Sequence, residues 1–284
     1  MSVAFSGERG AFAELAAIEH FGPRVKLSPV PEFSDVFSGV SRGDYRFGVV
    51  PIENSLAGSI HQNYDLLLES GLHIVGEVQL RIRHFLIVNK GTDVKKIRKI
   101  LSHPAVFPQC RRFLKRHPRW TPLPVSNTAA AVKIILTEKL HDAAAIGSLQ
   151  AAIDFDMRVV ARNIEDPGEN TTRFLVVAEK TKNPPASTKR IKSSIVFSMK
   201  DIPGALYKCL SVFALRDINL YKIESRPVHG RGFQYLFYLD FEGDARHEVQ
   251  RNAINHLQEI TTFYRFLGSY AMGAPRDPAY GKRE

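Results

Sequence analysis

Cysteine is scarce in this chain: two in 284 residues, Cys110 and Cys209, a hundred positions apart. That scarcity excludes a disulfide framework and a thiolate metal site. The ten histidines show no ligand-like spacing with cysteines or carboxylates, so neither a metal nor another cofactor is expected. No apolar run reaches membrane-spanning length, and the N-terminus enters a strand-like segment at once. The chain therefore reads as cytoplasmic, with no signal peptide and no membrane partner. Low-complexity blocks are missing. The glycines after the first strand lack the spacing of a dinucleotide fingerprint, and no nucleic-acid-binding motif accompanies the basic residues.

What is present is an ordinary globular composition, 44% hydrophobic and 24% charged, over a length that suits about two domains. The formal charge of +10 admits nucleic acid or a small anion as partner. Its basic residues gather in helix-like runs, 95–99 and 111–116, which read as solvated helix faces, so charge alone decides nothing.

The densest chemistry lies in Asn170-Thr171-Thr172-Arg173-Phe174, ahead of an apolar strand-like run to Ala178. Two hydroxyls, an amide and a guanidinium at the mouth of a buried strand suit a small-molecule site in an α/β fold. Other polar clusters stand at comparable junctions. Glu53-Asn54-Ser55 and Gly58 follow a strand that Pro51 is expected to end. Gln109-Cys110 lies beside the helix start at His103-Pro104. Ser126, read as an N-cap, and Thr128 precede a helix to about residue 140, and Gly147-Ser148 closes another strand. Residues 77–89 read as one long extended segment passing between two lobes.

A Lys-, Pro- and Ser-rich stretch marks the clearest boundary. The expected layout is a catalytic domain over 1–180, a linker over 181–192, a second domain over 193–275 and a tail over 276–284. Within the first domain, one lobe takes residues 1–79 and the end of the domain, and the other takes 80–172. Past the linker the pattern changes to strand, helix, strand, a long strand from Phe233, helix, strand. That β-α-β-β-α-β order is the ferredoxin-like plan, with strand edges left free for pairing between subunits.

In this order the clusters resemble those of the prephenate dehydratases that carry a C-terminal ACT regulatory domain. Val50 to Ser55 with Gly58, His103-Pro104 with Gln109-Cys110, Ser126 with Ala129 to Ala131, and Asn170 with Thr172-Arg173-Phe174 match the catalytic motifs. Gly204-Ala205-Leu206 and Glu224-Ser225-Arg226-Pro227 match the phenylalanine-binding motifs. The chain departs from the pattern at Ala11, where a hydroxyl is usual, and at Ala105 and Pro108.

The resemblance implies a periplasmic-binding-protein-like catalytic domain of two lobes followed by the ferredoxin-like ACT fold. It implies conversion of prephenate to phenylpyruvate, regulation by L-phenylalanine, and a homo-oligomer, a dimer or a homotetramer built as a dimer of dimers, paired through ACT edges. Thr172 would assist the departing hydroxyl and Glu53 would be the proton source. Arg173 would hold the pyruvyl carboxylate, because a tight ion pair to the ring carboxylate would oppose its loss. Asn54, Ser55, Ser126 and Thr128 would be neutral donors, with Gly58, Gln109, Asn170 and Phe174 completing the substrate site. Arogenate dehydratase is the nearest rival reading. A non-catalytic anion-binding sensor is the second, and a nucleic-acid-binding regulator, resting on charge alone, the third.

Overall fold

The computed structural model describes residues 1–180, 190–227 and 235–281. They fall into two compact units. The first holds residues 1–71, 78–177 and 274 onward, and the second holds residues 72–77 together with residues from 178 to 273.

The first unit has two lobes, each on its own sheet. In the larger sheet Ser2–Ser6 lies parallel between Lys26–Val30 and Phe47–Asn54. Thr171–Ala178 returns antiparallel beside Phe47–Asn54, and His73–Arg81 and Pro275–Arg276 extend that side. These strands carry unbroken apolar runs, such as the Leu175 to Ala178 segment, because both faces are covered. Helices Phe12–Phe21, Phe33–Ser41 and His61–Ser70 bury Leu15, Val36, Phe37 and Leu67 against them. In the other lobe the order is Arg158–Arg162, Phe85–Val88, Ala143–Gly147, Lys99–Ser102, Thr121–Pro124. Its core joins Leu86, Val88, Ile100 and Ile146 to Cys110 and Phe113.

Three local expectations are corrected. Pro51 does not end its strand, which runs on to Asn54. The proline sits at a β-bulge, where a missing N–H costs the ladder little. Asn127, not Ser126, caps Thr128–Thr137, its side-chain oxygen accepting from the Ala130 amide at 2.8 Å. Residues 77–89 form two strands, His73–Arg81 and Phe85–Val88, one in each sheet.

The C-terminal segment also differs from a trailing tail. Pro275–Arg276 pairs parallel with Gln79 and Leu80, and the Gln150 amide donates to the Gly281 carbonyl at 2.8 Å. Arg276 reaches Glu19 at 2.8 Å.

The second unit is the β-α-β-β-α-β fold expected from its pattern. Its antiparallel sheet runs Leu220–Pro227, Tyr235–Glu242, Ile191–Ser198, Phe263–Ala271. Helices Ala205–Ala214 and Glu248–Ile260 bury Val212, Phe213 and Leu257 against Ile195, Phe197, Leu239 and Phe241. In this unit Lys192 and Glu77 form a buried ion pair at 2.8 Å, and the Gly273 amide donates to the same carboxylate. Most of the expected 181–192 linker and the start of the strand expected from Phe233 lie outside the described residues. No helix among the described residues is long and apolar enough to cross a membrane.

Candidate active site

The two lobes of the first unit enclose a cleft of about 310 Å³. Its chemistry begins with the pairing of Phe47–Asn54 and Thr171–Ala178, where Thr172 stands opposite Asn54 and Arg173 opposite Glu53. The register then skips from Glu53 to Pro51, so Ile52 is the extra residue of a bulge. A strand alternates its side chains between faces, and one inserted residue resets that alternation. Asn54 and Pro51 therefore share the cleft wall with Thr172 and Phe174.

Asn54 is fixed from both ends. Its side-chain oxygen accepts from the amides of Leu56 and Ala57, at 3.0 and 2.9 Å. That leaves Nδ2 to donate, and it donates to Thr172 Oγ1 at 3.0 Å and to Asn170 Oδ1 at 2.8 Å. Because Thr172 Oγ1 accepts there, its own hydrogen is available to the cleft.

The polar chain continues behind this wall. Asn170 Nδ2 donates to Gln109 Oε1 at 2.8 Å, and the same oxygen lies 2.8 Å from His84 Nε2. An amide oxygen only accepts, so Nε2 carries the imidazole hydrogen and Nδ1 is a bare acceptor. Nδ1 is buried and has no hydrogen-bond partner among the described residues. Burial holds the His84 pKa below its ordinary value, against smaller upward pulls from Gln109 and Glu165. His103, also on the cleft, is lowered by burial alone.

Among the described residues, no lysine, arginine or carboxylate lines the cleft. Attraction for an anion comes from the start of Thr128–Thr137, where Ser126, Asn127 and Thr128 face the cavity. The first amides of a helix lack intrahelical acceptors, and the helix dipole adds to their pull on negative charge.

Asn54, Gln109, Ser126, Thr128, Thr172 and Phe174 thus meet on one cavity. Asn170 stands behind the wall, buried, holding Asn54 and Gln109 in place. Ser55 pins the adjoining loop, donating to the Glu169 carbonyl at 2.5 Å and accepting from the Thr171 amide at 3.0 Å. Gly58 forms the hairpin pair with Asn54 and does not line the cleft.

Arg173 and Glu53, also expected in the site, stand away from this wall. Strand alternation turns this pair away from Thr172 and Asn54, neither residue lines the cleft, and their charged groups face each other at 3.9 Å. Sequence reasoning missed His84, Asn127 and Phe12 as cleft residues. Asn127 could have been found as the alternative cap; His84 carried no local signal, because its partner is 25 positions away.

In the second unit, Gly204, Ala205 and Leu206 line a pocket of about 740 Å³ with Met199, Tyr235 and Phe237. Glu224, Ser225, Arg226 and Pro227 lie instead on Leu220–Pro227, an edge strand of the sheet, and none of them lines that pocket.

Fold and cleft together define a two-lobed α/β protein with a polar-walled small-molecule cleft, joined to a ferredoxin-like unit. The chain belongs to the prephenate dehydratase family, whose model matches residues 3–182. Arogenate dehydratase/prephenate dehydratase 2 of Arabidopsis thaliana is 46% identical over 94% of this chain and 72% of its own length. A prephenate dehydratase from Arthrobacter aurescens, solved in complex with L-Phe, superposes with a TM-score of 0.87 at 30% identity, over 96% of this chain and 90% of that one. A chain described as a novel type of quorum quenching acylase superposes with a TM-score of 0.86 at 28% identity, over 95% and 98%.

Proposed function

We propose that the chain converts prephenate to phenylpyruvate, carbon dioxide and water in L-phenylalanine biosynthesis. The electron pair of the ring carboxylate bond aromatises the ring as carbon dioxide leaves, and the opposite carbon expels its oxygen as hydroxide, which takes a proton to become water. The observation that carries this reading is Thr172, whose oxygen is occupied by Asn54 and whose hydrogen is left for the departing oxygen. A threonine hydroxyl is a weak acid, so its contribution is a hydrogen bond matched to developing charge, with protonation completed by relay. The ring carboxylate is best met by neutral donors, because a cation would stabilise the group that must break up. The start of Thr128–Thr137 supplies such donors.

The assay is direct. Purified protein given prephenate forms phenylpyruvate, and Thr172→Ala lowers kcat by about 100-fold or more while the fold is retained. Wild-type protein that is folded but inert toward both prephenate and arogenate would overturn the reading. Hydrolysis of an amide-linked acyl chain by such protein would point to the acylase comparison instead.

Arogenate is the second substrate to test, because the 46% identical relative carries both names. Arogenate presents an ammonium where prephenate has a keto oxygen. Rates with the two substrates in the same assay decide between them.

The second unit fits an ACT regulatory domain responding to L-phenylalanine, as in the ligand complex of the A. aurescens relative. Gly204, with φ at 76°, opens the helix that borders its pocket. Pairing of the open Leu220–Pro227 edge with a second copy would bring Glu224 to Pro227 to a shared ligand site. A dimer, or a tetramer of two such dimers, is the assembly this supports. In the same assay L-phenylalanine alters the rate, and Arg226→Ala removes that response with basal turnover intact.

A further inference from the structure

Two basic runs that the dehydratase site leaves unused meet on the second lobe. Lys95 and Arg98 come from one, Arg116 from the other, and Arg119 follows shortly after. With His117 and Trp120 they line a separate pocket of about 370 Å³, within the size range of small-molecule sites.

Every charged side chain on this pocket is cationic, and none of the four has a carboxylate partner among the described residues. Two of the guanidiniums are held in place without a counter-charge. Arg98 donates to the carbonyls of Lys95 and Ile97, at 3.1 and 2.9 Å. Arg116 lies over the Phe113 ring, 5.5 Å from its centroid. Pre-positioned guanidiniums recognise phosphate oxygens through paired N–H groups and lose little freedom on binding.

The aromatic part is also built. Trp120 stacks on His117 with ring centroids 3.9 Å apart and planes 5° from parallel. Burial and the neighbouring Arg116 both hold the His117 pKa below its ordinary value. A half-buried indole backed by a second ring is a platform for another planar ring.

We propose that this pocket binds a nucleotide, its phosphate among Lys95, Arg98, Arg116 and Arg119 and its base against Trp120. The cations demand a multiply charged oxyanion, and the stacked pair selects one that carries an aromatic ring. The site shares no residue with the dehydratase cleft and does not depend on that assignment.

Trp120 is the sole tryptophan of the chain, so its fluorescence reports on this pocket directly. The experiment titrates AMP, magnesium-free ATP, adenosine, inorganic phosphate and pyrophosphate into the full chain at about 150 mM salt, where diffuse surface attraction is screened. AMP and ATP quench saturably, while adenosine and the ring-free anions need concentrations at least about tenfold higher, the loss of one good contact set. Arg119→Ala, and Arg98→Ala with Arg119→Ala, weaken nucleotide binding by about tenfold or more and leave nucleotide-free phenylpyruvate formation unchanged. No saturable response at about 10 mM nucleotide, equal response to pyrophosphate, or unchanged binding in both variants would overturn the proposal.

Discussion

His84 shows how much one buried ring can settle. Its Nε2 hydrogen binds Gln109 Oε1, which leaves the Gln109 amide only one orientation and, through Asn170 and Asn54, sets which way the Thr172 hydrogen points. The side-chain amide nitrogen of glutamine approximates Nε2, whereas that of asparagine approximates Nδ1. His84→Gln is therefore expected to keep kcat within about tenfold of wild type, and His84→Asn to lose about 100-fold with KM moved far less. Steady-state kinetics on both variants separates this orienting role from simple packing, which the shorter side chain and the longer one would disturb alike. The acid limb gives an independent reading. The folded-state pKa is depressed, so the unfolded chain binds the extra proton first, and stability is lost as pH falls below about 6.5 toward the folded value. Urea midpoints at about pH 7.5 and pH 5.5 should fall further apart in wild type than in His84→Gln.

Among elements, the junction of the first helix with the opposite lobe leaves no room for a side chain. Gly10 has φ at 83°, and a Cβ there would lie 2.5 Å from the Ala151 Cα, a backbone atom that has no side chain to swing aside. Its carbonyl accepts from Ser148 Oγ at 2.5 Å, while its amide donates to Glu14 at 2.6 Å. Gly10→Ala is expected to destabilise the fold by about 2 kcal/mol or more, read as a lowered thermal or urea midpoint, because strain and overlap add. The helices and strands around this junction were legible in the sequence. The alternation of apolar strand runs with amphipathic helices, the glycine stops and the β-α-β-β-α-β grammar of the second half are local signals. So were Asn54, Gln109, Ser126, Thr128 and Thr172, each at an element junction. The bulge was not. It arises from pairing between residues more than 110 positions apart, and it decides that Pro51 and Asn54 face the cleft while Arg173 and Glu53 face each other. Residue type alone made Arg173 the obvious anion grip; the register of the strand sets it beside Glu53.

At the scale of the whole chain, the second unit depends on a buried charge pair. Lys192 and Glu77 are almost fully shielded from water, with side-chain exposures of 4% and 0%. Lys192→Met removes the cation from that interior while the Glu77 carboxylate keeps the Gly273 amide, and is expected to cost about 3–5 kcal/mol. Calorimetry of the full chain would register it as a lower or earlier transition. Replacing both partners with apolar residues of similar size is expected to recover most of the loss, since the penalty belongs to the buried charge that loses its counter-ion and not to the absence of a bridge.

Glu77 itself belongs to a strand, His73–Arg81, whose first five residues cluster with the second unit and whose last four cluster with the first. The first unit likewise recovers residues from 274 onward, after the second has ended. The two halves are therefore interleaved along the gene and not merely consecutive. Cutting at the lysine- and proline-rich stretch would separate each half from a piece of its own fold. A swapped second unit would have to bring along residues 72–77 and release residues 274–281, so exchange at that boundary alone does not exchange modules.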